Sequence, residues 1–302
     1  MTFAAKLNSS WELMQSSLRV IRANPRLALF PVVSSFCAIL LAAFFFLPIV
    51  VVVVGNTGVQ TWLAGRHWDG KEIEALQRTL GWTFYSYSAV IYLVSLFVGT
   101  FFNVAFYHEI MRALAGGNVS LAGGLRFATT RWRSILMWSL LAGTIGLVIR
   151  SIEERLGWFG RYVMAAIGTV WSVAAVFAIP VIIRREESNP LAVLRDSAVT
   201  LKKTWGESLV GFVGIQLASL AVVVVALLAM FVVLVVSVPF KLGLFMLLGF
   251  ATIILGLFIA GFLINLATNV YRCALYVYAS EGVVPDPFTV EMLNAGWKVK
   301  KV

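Results

Sequence analysis

Two adjacent residues, His108 and Glu109, are the closest approach in this sequence to a catalytic metal motif. A zinc-protease helix needs a second histidine four residues after the first, so that two imidazoles share one face. Position 112 is Arg112 and the other histidine of the chain is His67, so a catalytic zinc site lacks ligands. The sequence also contains no serine elbow and no glycine-rich phosphate loop with lysine. We therefore expect a protein that is not an enzyme, with no catalytic residues, no metal and no cofactor.

A second group of polar residues, Arg150, Glu153, Glu154 and Arg155, follows an apolar run of 16 residues at 134–149. As a helix this run covers about 24 Å, less than the hydrocarbon core of about 30 Å. Arg150 would then lie within the membrane edge, three and four residues before two carboxylates that can pair with it. An ionisable side chain at that depth costs about 2.5–3.5 kcal/mol, so these four residues are a candidate membrane-embedded polar site. The alternative is a helix that continues past the membrane and carries the charges in solvent.

Neutral amides and small residues form a third set of signals within apolar runs. Amides inside a membrane either line a pathway or, more often, form hydrogen bonds between helices, and small residues four positions apart allow helices to approach closely. The amides are Asn103, Gln216, Asn265 and Asn269, and the small pairs are Ser95/Gly99, Ser139/Gly143 and Gly256/Ala260.

The composition shows what kind of element holds these residues. The 302-residue chain is 60% hydrophobic and 13% charged, whereas soluble domains average about 45–50% and about 25%. Runs of this length and apolarity read as transmembrane helices, and they are continuous rather than alternating, which argues against a β-barrel. The sequence therefore predicts an all-α, polytopic transmembrane bundle of six spans. The runs are 27–54, 81–107, 134–149, 162–183, 208–240 and 242–271.

The distribution of Lys and Arg predicts the orientation of the spans. With the N-terminus inside, the inner segments 1–26, 108–133, 184–207 and 272–302 hold 17 of these residues, and the outer loops 55–80, 150–161 and 237–241 hold 7. Because cytoplasmic loops are enriched in positive residues, we predict a multi-pass protein of the cytoplasmic membrane with both termini in the cytoplasm, including a tail at 281–302. The first run is too long and begins too late in the chain for a signal peptide. The net charge of +10 comes from Lys and Arg beside the apolar runs, where such residues set membrane orientation. We therefore expect no nucleic-acid partner.

A segment with helical periodicity precedes each odd-numbered span. Its apolar positions recur every three or four residues, with cations on the other face, which is typical of a basic amphipathic helix in the membrane interface. The apolar positions are Phe3, Leu7, Trp11, Met14, Leu18 and Ile21; Leu121, Leu125, Ala128, Trp132 and Leu136; and Leu191, Leu194, Ala198, Leu201 and Trp205. Candidate lipid-headgroup contacts, each of about 1 kcal/mol, are Arg19, Arg22, Arg126, Arg131, Arg133, Lys202 and Lys203.

The recurrence of surface helix plus hairpin predicts three units within one membrane domain, 1–115, 116–187 and 188–280. The alternative is that any short cytoplasmic loop looks basic and amphipathic.

Several short strings resemble an uncharacterised family of prokaryotic six-span membrane proteins, a domain of unknown function. They are SWEL at 10–13, SLRV at 17–20, LFP at 29–31, FFN at 101–103, GG at 116–117, GLR at 124–126, EERLG at 153–157 and TWGE at 204–207. The resemblance covers most of residues 8–215, and the last two spans resemble the family only in their apolar character. It implies no activity and no binding residues.

Two classes of function are compatible with these observations. The first is a non-enzymatic membrane protein that organises or binds membrane lipid, expected to be anionic, or partner proteins, including other copies of itself. The alternative is a small transporter or channel for an ion or small solute, suggested by the charges at 150–155 and the amides within the spans.

Overall fold

A computed structural model describes residues 3–56, 58, 61, 65, 70–186, 188–203, 205–238 and 243–293. A 3₁₀ turn at Pro25–Ala28 joins the first two helices, and the described residues contain no strand. The helices are α1 (Phe3–Ala23), α2 (Leu29–Gly55), α3 (Gly70–Leu114), α4 (Leu121–Thr130), α5 (Trp132–Ala174), α6 (Ala178–Arg184), α7 (Pro190–Lys203), α8 (Trp205–Ser237), α9 (Gly243–Glu281) and α10 (Val290–Leu293).

Six stretches of these helices are long and apolar enough to cross a membrane, which confirms the prediction of an all-α bundle. Many of their large apolar side chains are exposed in the isolated chain, such as Phe44 at 72% and Phe258 at 73%, as expected for surfaces that face lipid. The stretches are Pro25–Val51, Tyr85–Leu114, Trp132–Glu153, Gly160–Arg184, Ser219–Ser237 and Gly243–Glu281. Residues 239–241 of the predicted outer loop and residues 294–302 of the predicted tail lie outside what is described.

Spans three and four form a hairpin, although helix α5 has no break between them. The indole rings of Trp138 and Trp171 stack with their centroids 5.9 Å apart, whereas 33 residues of straight helix would separate them by about 50 Å. The chain must therefore reverse between the two residues. The segment predicted as an outer loop at 150–161 is helical.

The packed core lies at one end of the molecule. The ends of α3 and α9 contribute fully buried side chains, including Ile110 and Tyr271, and α6 contributes Ile182. The helices α1, α4 and α7 pack around these ends and bury residues such as Leu13 and Val193. We call this region, formed by α1, α4, α6, α7 and the adjoining ends of α3 and α9, the core end.

The three short helices predicted before spans one, three and five are present, and they pack in a cyclic order. Helix α1 contacts α8 and α9, α4 contacts α3, and α7 contacts α5 and α6. Each short helix thus lies against the hairpin that precedes it, with the first helix against the last hairpin. Each buries part of its apolar face within the protein, for example Met14, Ala128 and Leu201, whereas Leu191 on α7 is 61% exposed. The unit boundaries themselves stay a prediction.

The small-residue pairs differ in what surrounds them. A Cβ on Gly143 would lie 2.9 Å from Leu96 Cδ1, so α3 and α5 approach closely there, as the Ser139/Gly143 pair predicts. Ser95 and Gly99 line a narrow gap of about 150 Å³ between α2 and α3. A Cβ on Gly256 would meet no atom within 4 Å, so this position has open space in the single chain.

Helix α4 is fixed to α3 through a buried carboxylate and a glycine. Glu109 Oε2 accepts the backbone N–H of Ser120 at 2.7 Å, and Ser120 Oγ accepts the N–H of Gly123 at 3.2 Å. Both bonds satisfy amides at the start of α4 that have no partner within the helix. Gly124 lies so close to α3 and α2 that a Cβ there would be 2.8 Å from the carbonyl oxygen of Ala105 and 2.9 Å from Phe30 Cζ.

Replacing Gly124 with alanine should lower the stability of the protein, because the new methyl group meets backbone and a buried ring. Overpacking of this kind costs about 1–3 kcal/mol. Gly256→Ala is the matched control, because its Cβ enters open space and alanine favours a helix interior by about 1 kcal/mol. The thermal unfolding midpoint in mild detergent measures both. Equal midpoints for the two variants would contradict the close packing of α4.

Candidate functional site

Carboxylates at the core end hold arginines in ion pairs, one within α3 and the others between different segments of the chain. Arg184 at the end of α6 bonds Glu281 at the end of α9, and Arg185 bonds Asp196 on α7. Exposed pairs of this kind contribute little to stability one by one, but they neutralise carboxylates near the basic helices. The pairs are Arg112–Glu109 (3.3 Å), Arg131–Glu186 (3.3 Å), Arg184–Glu281 (2.8 Å) and Arg185–Asp196.

Several other cations at the core end make no ion pair with any described residue. Six of them are exposed on α1, α4, α7 and the start of α5, and we call them the basic surface: Arg19, Arg22, Arg126, Arg133, Arg195 and Lys202. Within the described part of this end, only three carboxylates lack such a pair, those of Glu12, Asp286 and Glu291. The basic surface therefore carries an excess of positive charge.

Two arginines predicted to contact headgroups differ in their surroundings. The guanidinium of Arg133 lies over the Trp132 ring at 5.5 Å, and both residues are exposed. Arg131 is only 16% exposed, pairs with Glu186 and lies over the Phe127 ring at 5.5 Å. Phe127 in turn stacks on His108 with centroids 3.7 Å apart. We interpret Arg131 as a packing residue. The side chain of Lys203 is outside those described.

The charges at 150–155 lie near the turn between spans three and four, far along α5 from the core end. Span three is 22 residues long, Trp132–Glu153, or about 33 Å as a helix, which is enough to cross the hydrocarbon core. Glu153 pairs with Arg161 at 3.7 Å, and their side chains are 40% and 76% exposed. Arg150 and Arg155 are exposed too, and the side chain of Glu154 is not described. Arg150 therefore need not lie within the membrane.

Three of the four amides meet in one groove between spans two, five and six. The groove holds about 440 Å³, and the side chain of the fourth amide, Gln216, is not described. Sequence reasoning did not single out Tyr107 and Arg272, because both stand at the ends of apolar runs. The helical spacing of 103 with 107, and of 265 with 269 and 272, is the signal that could have found them. The lining residues are Asn103, Tyr107, Ser219, Gly261, Ile264, Asn265, Thr268, Asn269 and Arg272.

A chain of hydrogen bonds connects the polar residues of the groove. Arg272 Nη1 donates to the hydroxyl oxygen of Tyr107 at 2.8 Å, and that hydroxyl donates to Asn269 Oδ1 at 2.8 Å. Asn269 Nδ2 then donates to Asn265 Oδ1 at 2.8 Å. The described residues include no group of three or more His, Cys, Asp or Glu side chains placed to hold a metal ion.

The fold and the spans define a multi-pass α-helical membrane protein. The chain belongs to a family of unknown function, DUF6159, which matches residues 84–285. The match includes the last two spans, where the resemblance based on short strings lay only in apolar character. It leaves out the strings at 10–31. Neither the curated proteins nor the solved structures contain a significant match to this chain.

The two kinds of arginine should respond differently to substitution. Arg131→Gln should lower the free energy of unfolding by about 1–3 kcal/mol, because it removes an ion pair with Glu186 and a cation–π contact with Phe127 from a largely buried position. Arg133→Gln should change it by no more than about 0.5 kcal/mol, as is usual for surface positions. Unfolding in mild detergent measures both, and a larger loss for Arg133→Gln would contradict these assignments.

Proposed function

We propose that this protein is a non-enzymatic membrane protein that binds anionic lipid at its core end, as a membrane-organising or scaffold component. The observation that carries the proposal is the basic surface, whose cations are exposed while the nearby carboxylates are mostly paired with other arginines. The excess of Lys and Arg in the same segments favours a cytoplasmic location for this end.

The physical basis is the attraction between these cations and an anionic leaflet. A Lys or Arg near such a surface gains about 1 kcal/mol, and the attraction fades within a Debye length. Trp132, which is 49% exposed beside Arg133, is of the residue type enriched at the level of the headgroups. The apolar faces of α1, α4 and α7 pack on the spans, so the protein core holds these helices, and their cations, at one end of the bundle.

The double variant Arg126→Gln/Arg133→Gln should weaken the preference for anionic over zwitterionic lipid by about fivefold per residue removed. Native mass spectrometry of the purified protein, titrated with phosphatidylglycerol and phosphatidylcholine, measures this preference. Arg155→Gln/Arg161→Gln is the matched control, because it removes two exposed cations from the opposite end of the same bundle. Equal losses in both variants, or a loss in neither, would refute the proposal.

A transporter or channel for a small solute is the second candidate, because three amides from the spans line one groove. The charges at 150–155, which also suggested this class, are not among the lining residues of that groove. Flux of an ion or solute into liposomes that contain the purified protein, abolished by Asn103→Leu without loss of folding, would favour this class.

A further inference from the structure

We propose that the groove between spans two, five and six binds a single anionic phospholipid, with the phosphate near Arg272 and the glycerol-ester oxygens near Asn265. This inference deepens the proposed function, because it places one discrete lipid site beside a surface that attracts anionic lipid in general. It rests on the direction of the hydrogen-bond chain, the charge of the lining and the apolar surface beside the groove.

Arginine sets the direction of every bond in the chain. A guanidinium donates and cannot accept, so the hydroxyl oxygen of Tyr107 must be the acceptor from Arg272. The Tyr107 proton is then directed to Asn269 Oδ1, and the Asn269 amide is left to donate to Asn265 Oδ1. The Asn265 carbonyl oxygen thereby accepts one bond, and its NH₂ group, which can only donate, ends the chain. A ligand that extends the chain from this NH₂ group must supply an acceptor, as phosphate and ester oxygens do.

The charge of the lining favours an anion. Arg272 is the one charged residue among the described residues that line the groove. Asn265 and Arg272 are seven positions apart, which places the two ends of the donor chain about 10 Å apart along α9. An elongated polar group therefore fits better than a spherical ion. The volume of about 440 Å³ lies within the usual range of ligand sites, about 300–1,000 Å³.

The position of the groove favours a lipid over a solute. Asn103 and Asn265 are exposed within stretches that are apolar enough to span a membrane. A polar group facing hydrocarbon costs several kcal/mol if unsatisfied, so the groove needs a polar occupant. Large apolar side chains of α8 and α9 are exposed nearby, including Leu220 at 59% and Ile259 at 51%. Acyl chains can lie along them while the headgroup fills the groove.

The experiment compares Asn265→Asp with Asn118→Asp in the full chain, purified in neutral detergent. Both changes are isosteric and add one negative charge at exposed positions, but only the first replaces the terminal donor of the chain with an acceptor. Native mass spectrometry follows the titration of each protein with phosphatidylglycerol, phosphatidylcholine and inorganic phosphate. We expect Asn265→Asp to weaken the first phosphatidylglycerol by about tenfold or more, and Asn118→Asp by no more than about twofold.

Other variants keep the test decisive. Asn265→Leu, which removes the donor without adding charge, should also weaken that lipid, and Arg272→Lys should retain more affinity than Arg272→Gln. Equal affinity in the wild type and in Asn265→Asp would overturn the inference. Displacement of the lipid by millimolar inorganic phosphate would also overturn it, because it would assign the groove to a free anion.

The proposal for the basic surface and the proposal for the groove can be refuted independently. Arg126→Gln/Arg133→Gln should leave the affinity for the first lipid in the groove within about twofold, while the general preference for anionic lipid falls. Loss of the first lipid in that double variant, with no effect of Asn265→Asp, would overturn the groove and leave the basic surface as the binding site.

Discussion

The burial of three short helices against the ends of the spans is the constraint on which the rest of the structure depends. Elsewhere the spans expose many large apolar side chains, as Phe44 and Phe258 show, and a bilayer must cover them. At the core end α1, α4 and α7 bury apolar residues such as Met14, Ala128 and Leu201 against protein. Helix α4 has only ten residues, too few to be stable alone in water. It is held by the bond from Ser120 N–H to Glu109 and by the close approach at Gly124.

This packing decides which polar groups are available. Arg184 joins α6 to α9, and Arg131 pairs with Glu186 in the segment after α6, so Glu186 and Glu281 are neutralised within the protein. Cations on the outer faces of the same short helices are left exposed, and they form the basic surface. On α9, Arg272 starts a chain of hydrogen bonds that runs through Tyr107 and Asn269 to Asn265 within span six. In our proposals the basic surface attracts anionic lipid through long-range electrostatics, and the groove binds one lipid through hydrogen bonds at short distance.

Much of the fold could be predicted from the sequence because the signals are local. Long uncharged runs predict the six spans, and the helical period of residues such as Leu194 and Leu201 predicts the short helices. The partners of those helices could not be predicted, because α1 packs against α8 and α9, which lie more than 180 residues later in the chain. The sequence left open whether the third helix ends at Arg150 or continues past it, and the structure shows that it continues through Arg150.

The candidate site was predicted only in part, for a physical reason. Asn103, Asn265 and Asn269 stand out in sequence because an amide is unusual in an apolar run. Tyr107 and Arg272 do not, since aromatic and basic residues are common where spans end. Their role depends on α3 and α9 lying side by side, which brings Tyr107 within 2.8 Å of both Asn269 and Arg272. The packing role of Arg131 was missed likewise, because it depends on contacts with Phe127 and Glu186.

The most direct test of the central claim, that the core end lies at the level of anionic headgroups, is a cryo-EM map in nanodiscs of phosphatidylglycerol and phosphatidylcholine. The structure predicts α1, α4 and α7 at headgroup depth, with ordered headgroup density against Arg126 and Arg133 and lipid density in the groove beside Arg272. A map in which these helices stand in solvent clear of the bilayer, with no lipid ordered against them, would contradict the claim.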